Sequence, residues 1–228
     1  MRTLNTGCRV GILLLMLALA CFADNVVYDP GTTYIIDPEL TGYSTYGDQM
    51  AGMRVTAWWQ SGASVTAIWT ATGSGAGAAA AADLFSVSLS GDSWNSPWSL
   101  TNLAASQLTR LLLDGPPGLT VFDTVPYIDG TPGSAQGWAF QRLSGASDVV
   151  ATYRNKAAVI GNPVQGDLYT QLDLAITGLD SGDIMTWRSD TDSVPSGGSV
   201  NPVPEPATVA LLGFAVATLG VLSRRKRA

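Results

Sequence analysis

The sequence predicts an all-β fold, an antiparallel β-sandwich or jelly roll, with an N-terminal signal peptide and a single short C-terminal transmembrane helix. Three observations predict it. Phe85, Val87 and Leu89 alternate with Ser86, Ser88 and Ser90, the period of a strand with one wet face. Glycine, proline and aspartate punctuate the chain between many short apolar stretches. The longest apolar runs lie at the two ends, apart from the body between them. Over 228 residues, 46% apolar and 13% charged, the composition suits a folded chain and not a charge-rich disordered one.

Residues 1–23 have the form of a secretory signal. Arg2 and Arg9 make the positive region, Val10 to Ala20 the apolar run, and small residues follow at Ala18-Leu19-Ala20 and Cys21-Phe22-Ala23. The apolar run is too short for an ordinary membrane span. Cleavage after Ala20 or after Ala23 meets the small-x-small requirement, and the latter starts the mature chain at polar Asp24 and Asn25. A lipidated Cys21 is the competing reading; Ala18 and Leu19 stand where a lipoprotein signal carries leucine and a small residue.

Residues 24–192 read as the exported β domain. Leu168, Thr170, Leu172, Leu174 and Ile176 alternate with Tyr169, Gln171, Asp173 and Ala175. Further strands are expected at Tyr34 to Ile36, Arg54 to Trp59, Val65 to Thr70, Leu108 to Leu113, Thr120 to Phe122, Gly137 to Phe140, Val149 to Tyr153, Ala157 to Ile160 and Ile184 to Arg188. Turns separate them at Asp114-Gly115-Pro116-Pro117-Gly118, Asp129-Gly130, Gly161-Asn162-Pro163 and Asp180-Ser181-Gly182-Asp183. The low-complexity stretch Gly73 to Ala82 reads as a loop or a single helical turn, since alanine favours helix and glycines precede it.

Charge and residue usage restrict the chemistry. The chain has no histidine, and both cysteines, Cys8 and Cys21, fall in the leader, so a chain beginning at Asp24 has neither. Serine or cysteine triads using histidine, imidazole or thiolate zinc sites and a disulfide in the product are thereby excluded. From Asp24 to Pro204 there are 17 acidic residues against 6 basic ones, a formal charge of −11, and no basic cluster. Nucleic acid is not an expected partner of such a surface.

The acids have two further readings. Glu39 is the only glutamate of that segment, so a hydrolase would have to work with a close pair of aspartates, and an enzyme is not expected. Asp180-x-x-Asp183 and Asp190-x-Asp192 instead put hard oxygen donors on neighbouring loops, as a calcium site requires, without the spacing of an EF-hand. Solvated turn carboxylates are the plain alternative, and no other cofactor is expected. Trp58 and Trp59 are consecutive, so on a strand they face opposite ways and at most one joins a given core layer. The other is a candidate platform for sugar rings.

Residues 193–202, rich in Ser, Gly and Pro, read as a flexible linker. In residues 203–228, Val203-Pro204-Glu205-Pro206 is a stiff extended entrance, because proline fixes its own φ and disfavours helix in the residue before it. The uncharged stretch 207–222 is helix-compatible, and 16 residues at about 1.5 Å each make roughly 24 Å, short of a bilayer core of about 30 Å. Arg224, Arg225, Lys226 and Arg227 hold the tail in the cytoplasm by the positive-inside rule.

These C-terminal features resemble the PEP-CTERM sorting signal of Gram-negative bacteria. The resemblance implies an exosortase as partner, a membrane-embedded cysteine transpeptidase or protease that processes the tail. It also implies export through the inner membrane, transient anchoring by the helix, delivery to the cell surface or medium, and an association with exopolysaccharide and biofilm. A softer similarity to the bodies of many PEP-CTERM proteins lies in Ser93 to Asn102, Val121 to Thr124, Gly133 to Trp138, Gly166 to Tyr169, Ser181 to Asp183 and Asp190 to Asp192. It implies the same all-β body and assigns no catalytic residue. A surface or matrix protein, a carbohydrate-binding module and an Asp-based hydrolase are the three classes of function that follow.

Overall fold

The computed structural model describes residues 24–42, 45–124, 130–134 and 136–203, so the signal peptide 1–23 and the expected helix 207–222 lie outside the described residues. Among the described residues no helix is long and apolar enough to cross a membrane. They form two sheets around a shared core. The larger, a curled half-barrel, runs β16 (Ser199–Pro202), β2 (Tyr34–Asp37), β12 (Asp148–Val159), β13 (Leu168–Thr177), β9 (Leu108–Asp114), β3 (Arg54–Trp59), β4 (Ser64–Ile68). Off this path β1 (Asn25–Asp29) pairs with β12, and β10 (Thr120–Asp123) pairs with both β13 and β15 (Asp190–Ser193). The second sheet runs β11 (Gln141–Ser144), β14 (Ile184–Arg188), β8 (Trp98–Asn102), β7 (Phe85–Ser90), β6 (Ala76–Ala81), β5 (Thr70–Gly73).

The second sheet is antiparallel throughout. In the larger one, β1 and β2 both run parallel to β12, a departure from the purely antiparallel expectation. The cause is local. Together they follow the length of β12 as one strand broken at Pro30 and Gly31, and β12 answers the break with Asn155 in the left-handed region, φ 60°. The Asn155 Oδ1 accepts the Thr32 amide at 3.1 Å, a bond suited to an asparagine in that conformation.

Alternation places the core. In β7 Phe85, Val87 and Leu89 are buried, and in β8 Trp98, Leu100 and Asn102. Facing them from the larger sheet are Val55, Ala57, Leu111, Leu113, Ala151, Tyr153, Leu172 and Leu174. Trp98 stacks on Trp187 at 5.8 Å between ring centroids, and Trp69 tilts against Trp98 at 5.3 Å. Each fully buried Val, Leu or Phe among them contributes about 1.5–3 kcal/mol over the exposed state. A smaller cluster, Ile36, Leu40, Val121, Ala157, Val159, Leu168, Val194 and Val200, lies where β2 and β16 close the half-barrel.

Three further expectations change. The alanine-rich stretch is not a loop or helical turn; it supplies β6, paired with β5 and β7. Its small residues let the 3-10 turn at Gly47–Met50 pack close, where the Gly47 carbonyl accepts the Trp69 indole N–H at 2.7 Å, so tertiary packing overrides alanine's helix preference. Gly137 to Phe140 is irregular, and the strand follows at Gln141. The stretch 193–202 is not a free linker: β16 pairs with β2, Val194 and Val200 are buried, and the Val203 amide donates to the Thr33 carbonyl at 2.7 Å.

Candidate functional site

Strands β10 and β15 pair antiparallel, with Asp123 opposite Asp190 and Val121 opposite Asp192. Side chains two apart on a strand share a face, so Asp123, Asp190 and Asp192 all fall on one face of this two-strand ribbon. One ligand oxygen from each lies within 4.8 Å of the others. All three are buried, at 1%, 3% and 0% exposure. Like charges on facing strands oppose one another, and removing a carboxylate from water is itself unfavourable.

Hydroxyls and amides answer part of this. The Ser93 hydroxyl donates to Asp190 Oδ1 at 2.7 Å, and the Ser134 hydroxyl to Asp123 Oδ2 at 2.5 Å. Asp167, also buried, accepts from the Thr131 amide and hydroxyl and from the Leu168 amide. Asp192 differs: neither of its carboxylate oxygens has a hydrogen-bond partner. The Ser134 hydroxyl lies near enough to ease its charge a little, but its proton goes to Asp123. Gly137 lies against the Asp123 carboxyl, in space that any Cβ would fill.

Burial, then the neighbouring charges of Asp123 and Asp92, pushes the Asp190 carboxyl up to about 7, against the pull of the Ser93 bond. Asp192 is held well above the usual carboxylate range by burial first, then by Asp123, Asp190 and Asp167. Beside them the Tyr153 hydroxyl is also raised by burial; it donates to or accepts from Ser189 at 2.8 Å and accepts the Phe140 amide. Among the described residues no ion pair includes Asp167, Asp190 or Asp192.

The four aspartates expected to act together are divided. Asp180 and Asp183 stay in the exposed turn between β13 and β14, where the Asp180 amide donates to Asp183 and Gln107 donates to Asp180. Asp190 and Asp192 are not loop residues at all, since β15 is buried along its whole length. The carboxylate that joins them, Asp123, was missed by sequence spacing because β10 lies far from β15 along the chain. Its signal was an acid directly after the apolar pair Val121-Phe122.

The two tryptophans part as adjacent strand residues must. Trp59 belongs to the core and donates its indole N–H to buried Asn102 at 3.0 Å, so it is not available to a sugar. Trp58 faces outward and half-buried, with the Arg110 guanidinium 4.4 Å over its ring. Trp94 and Trp138, also half-buried, pair at 5.0 Å.

Of the sorting residues, Val203 is exposed at the end of β16. Pro204, Glu205, Pro206, Arg224, Arg225, Lys226 and Arg227 lie outside the described residues. No curated protein and no solved structure is significantly similar to the chain. Residues 202–227 match the family model of the PEP-CTERM protein-sorting motif. The chain is therefore an exported protein that carries a PEP-CTERM protein-sorting motif, is processed by an exosortase and is sorted to the cell surface.

Proposed function

We propose that the β domain is a non-catalytic structural protein of the cell envelope or exopolysaccharide layer, released there when its sorting signal is processed. The observation that carries this reading is the continuity of domain and address: the matched motif starts at Pro202, the last residue of β16. Val203 is still tied to Thr33, and Pro204 to Pro206 can reach at most about 11 Å when fully extended. An anchored chain therefore carries its domain close against the outer membrane-water boundary, and release changes its location more than its shape. The clustered carboxylates of Asp123, Asp190 and Asp192 are walled in, as suits an internal structural part better than a substrate cleft.

The test is fractionation of cells expressing an internally tagged chain, with and without the exosortase and with and without polysaccharide synthesis. The tailless product is expected in the matrix fraction only when both are present. Full-length protein stable in the inner membrane beside an active exosortase would overturn the release, and processed protein free in the medium regardless of polysaccharide would overturn the matrix role.

Carbohydrate binding is the second reading, favoured by the outward ring of Trp58. It calls for retention on the host's polysaccharide that Trp58→Ala abolishes. Equal retention of wild type and variant would remove it.

A further inference from the structure

We propose that Asp123, Asp190 and Asp192 form an internal calcium site that joins β10 to β15. Three features lead to a cation of this class. Two oxygens on opposite sides of a calcium ion stand about 4.6–5.2 Å apart. Ligand atoms from the three carboxylates that all lie within 4.8 Å of one another therefore fit around a single ion. Asp192 is fully buried with both oxygens lacking a hydrogen-bond partner, although buried polar atoms are normally paired, and it shares the ribbon face of the other two acids. The donors are hard oxygens in a chain without histidine, which suits calcium better than a metal that prefers nitrogen or sulfur.

Calcium also fits better than magnesium. It accepts irregular sets of protein oxygens, whereas magnesium demands a smaller octahedron and tends to keep its waters. A divalent cation would offset most of the charge that the three acids bring to one face, and Ser93 and Ser134 would fix the orientation of Asp190 and Asp123 from behind. The inference goes beyond the sorting and matrix reading and does not depend on it. Asp180 and Asp183, in their exposed turn, take no part.

The test uses the full chain in detergent, stripped with a chelator and dialysed against radioactive calcium, with thermal unfolding in parallel. One ion per chain and a higher unfolding temperature in calcium are expected. Asp192→Asn should weaken binding by at least about tenfold, while the double variant Asp180→Asn, Asp183→Asn binds as wild type. Should Asp192→Asn fail to fold, terbium luminescence of the wild type, excited through tryptophan and displaced by calcium, gives the same answer. Trp138 is a suitable donor, since its carbonyl accepts the Asp190 amide. No calcium bound at millimolar concentration, binding unaffected by Asp192→Asn, or binding lost with Asp180 and Asp183 would overturn the site.

Discussion

The Arg110 guanidinium lies 4.4 Å over the ring of Trp58 and grips Asp173 with two hydrogen bonds, at 2.7 and 2.9 Å. Asp173 also accepts from Arg154, which reaches on to Asp29 at 2.7 Å. Five neighbouring strands, β3, β9, β13, β12 and β1, thus contribute one residue each to a ladder across the outer face of the larger sheet.

Asp173 is the centre of that ladder, 7% exposed between Arg110 and Arg154 at 43% and 38%. Asp173→Asn is expected to cost about 2 kcal/mol, less than a fully buried pair because water still reaches both arginines. Trp58→Ala should cost about 1 kcal/mol through the lost cation–π contact. Denaturant unfolding of both variants and of the double variant checks the order, and a larger effect at Trp58 than at Asp173 would contradict it.

Gly77 tests the alanine-rich strand. A Cβ there would collide with the Gly47 carbonyl and the Trp69 indole nitrogen, whereas one at Gly73 meets nothing within 4 Å. Gly77→Ala should therefore destabilise by about 3 kcal/mol and Gly73→Ala by less than about 0.5 kcal/mol. Equal melting temperatures for the two variants would mean that β6 does not pack as described.

Asp190 gives the pH dependence. Its carboxyl titrates near 7 in the folded chain and near 4 when unfolded, so in between the folded state binds a proton that the unfolded state lacks. The corresponding stability is complete below about pH 4 and is lost as pH rises through about 7. With a chelator present, Asp190→Asn removes that loss and can still accept the Ser93 hydroxyl. It should gain on wild type as pH rises between about 4 and 8, by on the order of 4 kcal/mol, because the substituted side chain has no proton to lose. Unfolding curves at several pH values decide this, and a gap independent of pH would refute it.

Val200 tests the seating of β16. Its side chain is buried in the smaller cluster, and the Val203 amide beyond it is bonded to Thr33. Hydrogen exchange should find that amide protected in wild type and unprotected in Val200→Asp, with the amides of β7 and β8 unchanged. An unprotected Val203 amide in wild type would restore the free linker.

Regular alternation made β3, β7 and β14 legible, because each has one wet face and one core face. The central strand β13 was found by the same pattern, but its faces were not, since Tyr169 and Asp173 are covered as well. β15 was illegible for the opposite reason: Asp-Thr-Asp-Ser reads as a wet turn, and only its pairing with β10 buries it. The fate of Trp59 followed from strand geometry once a core layer existed to receive it. The regrouping of Asp190 and Asp192 with Asp123 depended on a contact between strands that local spacing does not encode.

Because β16 covers the outer side of β2, the position of the proteolytic cut decides how the released protein meets its own copies. A cut at or beyond Pro204 leaves the half-barrel closed by a strand of four residues ending in a proline that has no N–H to offer. Short length and proline both blunt an edge against strand addition. A cut before Ser199 would strip β2 bare and leave its N–H and C=O groups as a template for a neighbouring chain. The four residues of β16, which lead into the address label, thus separate a capped domain from one able to polymerise edge to edge.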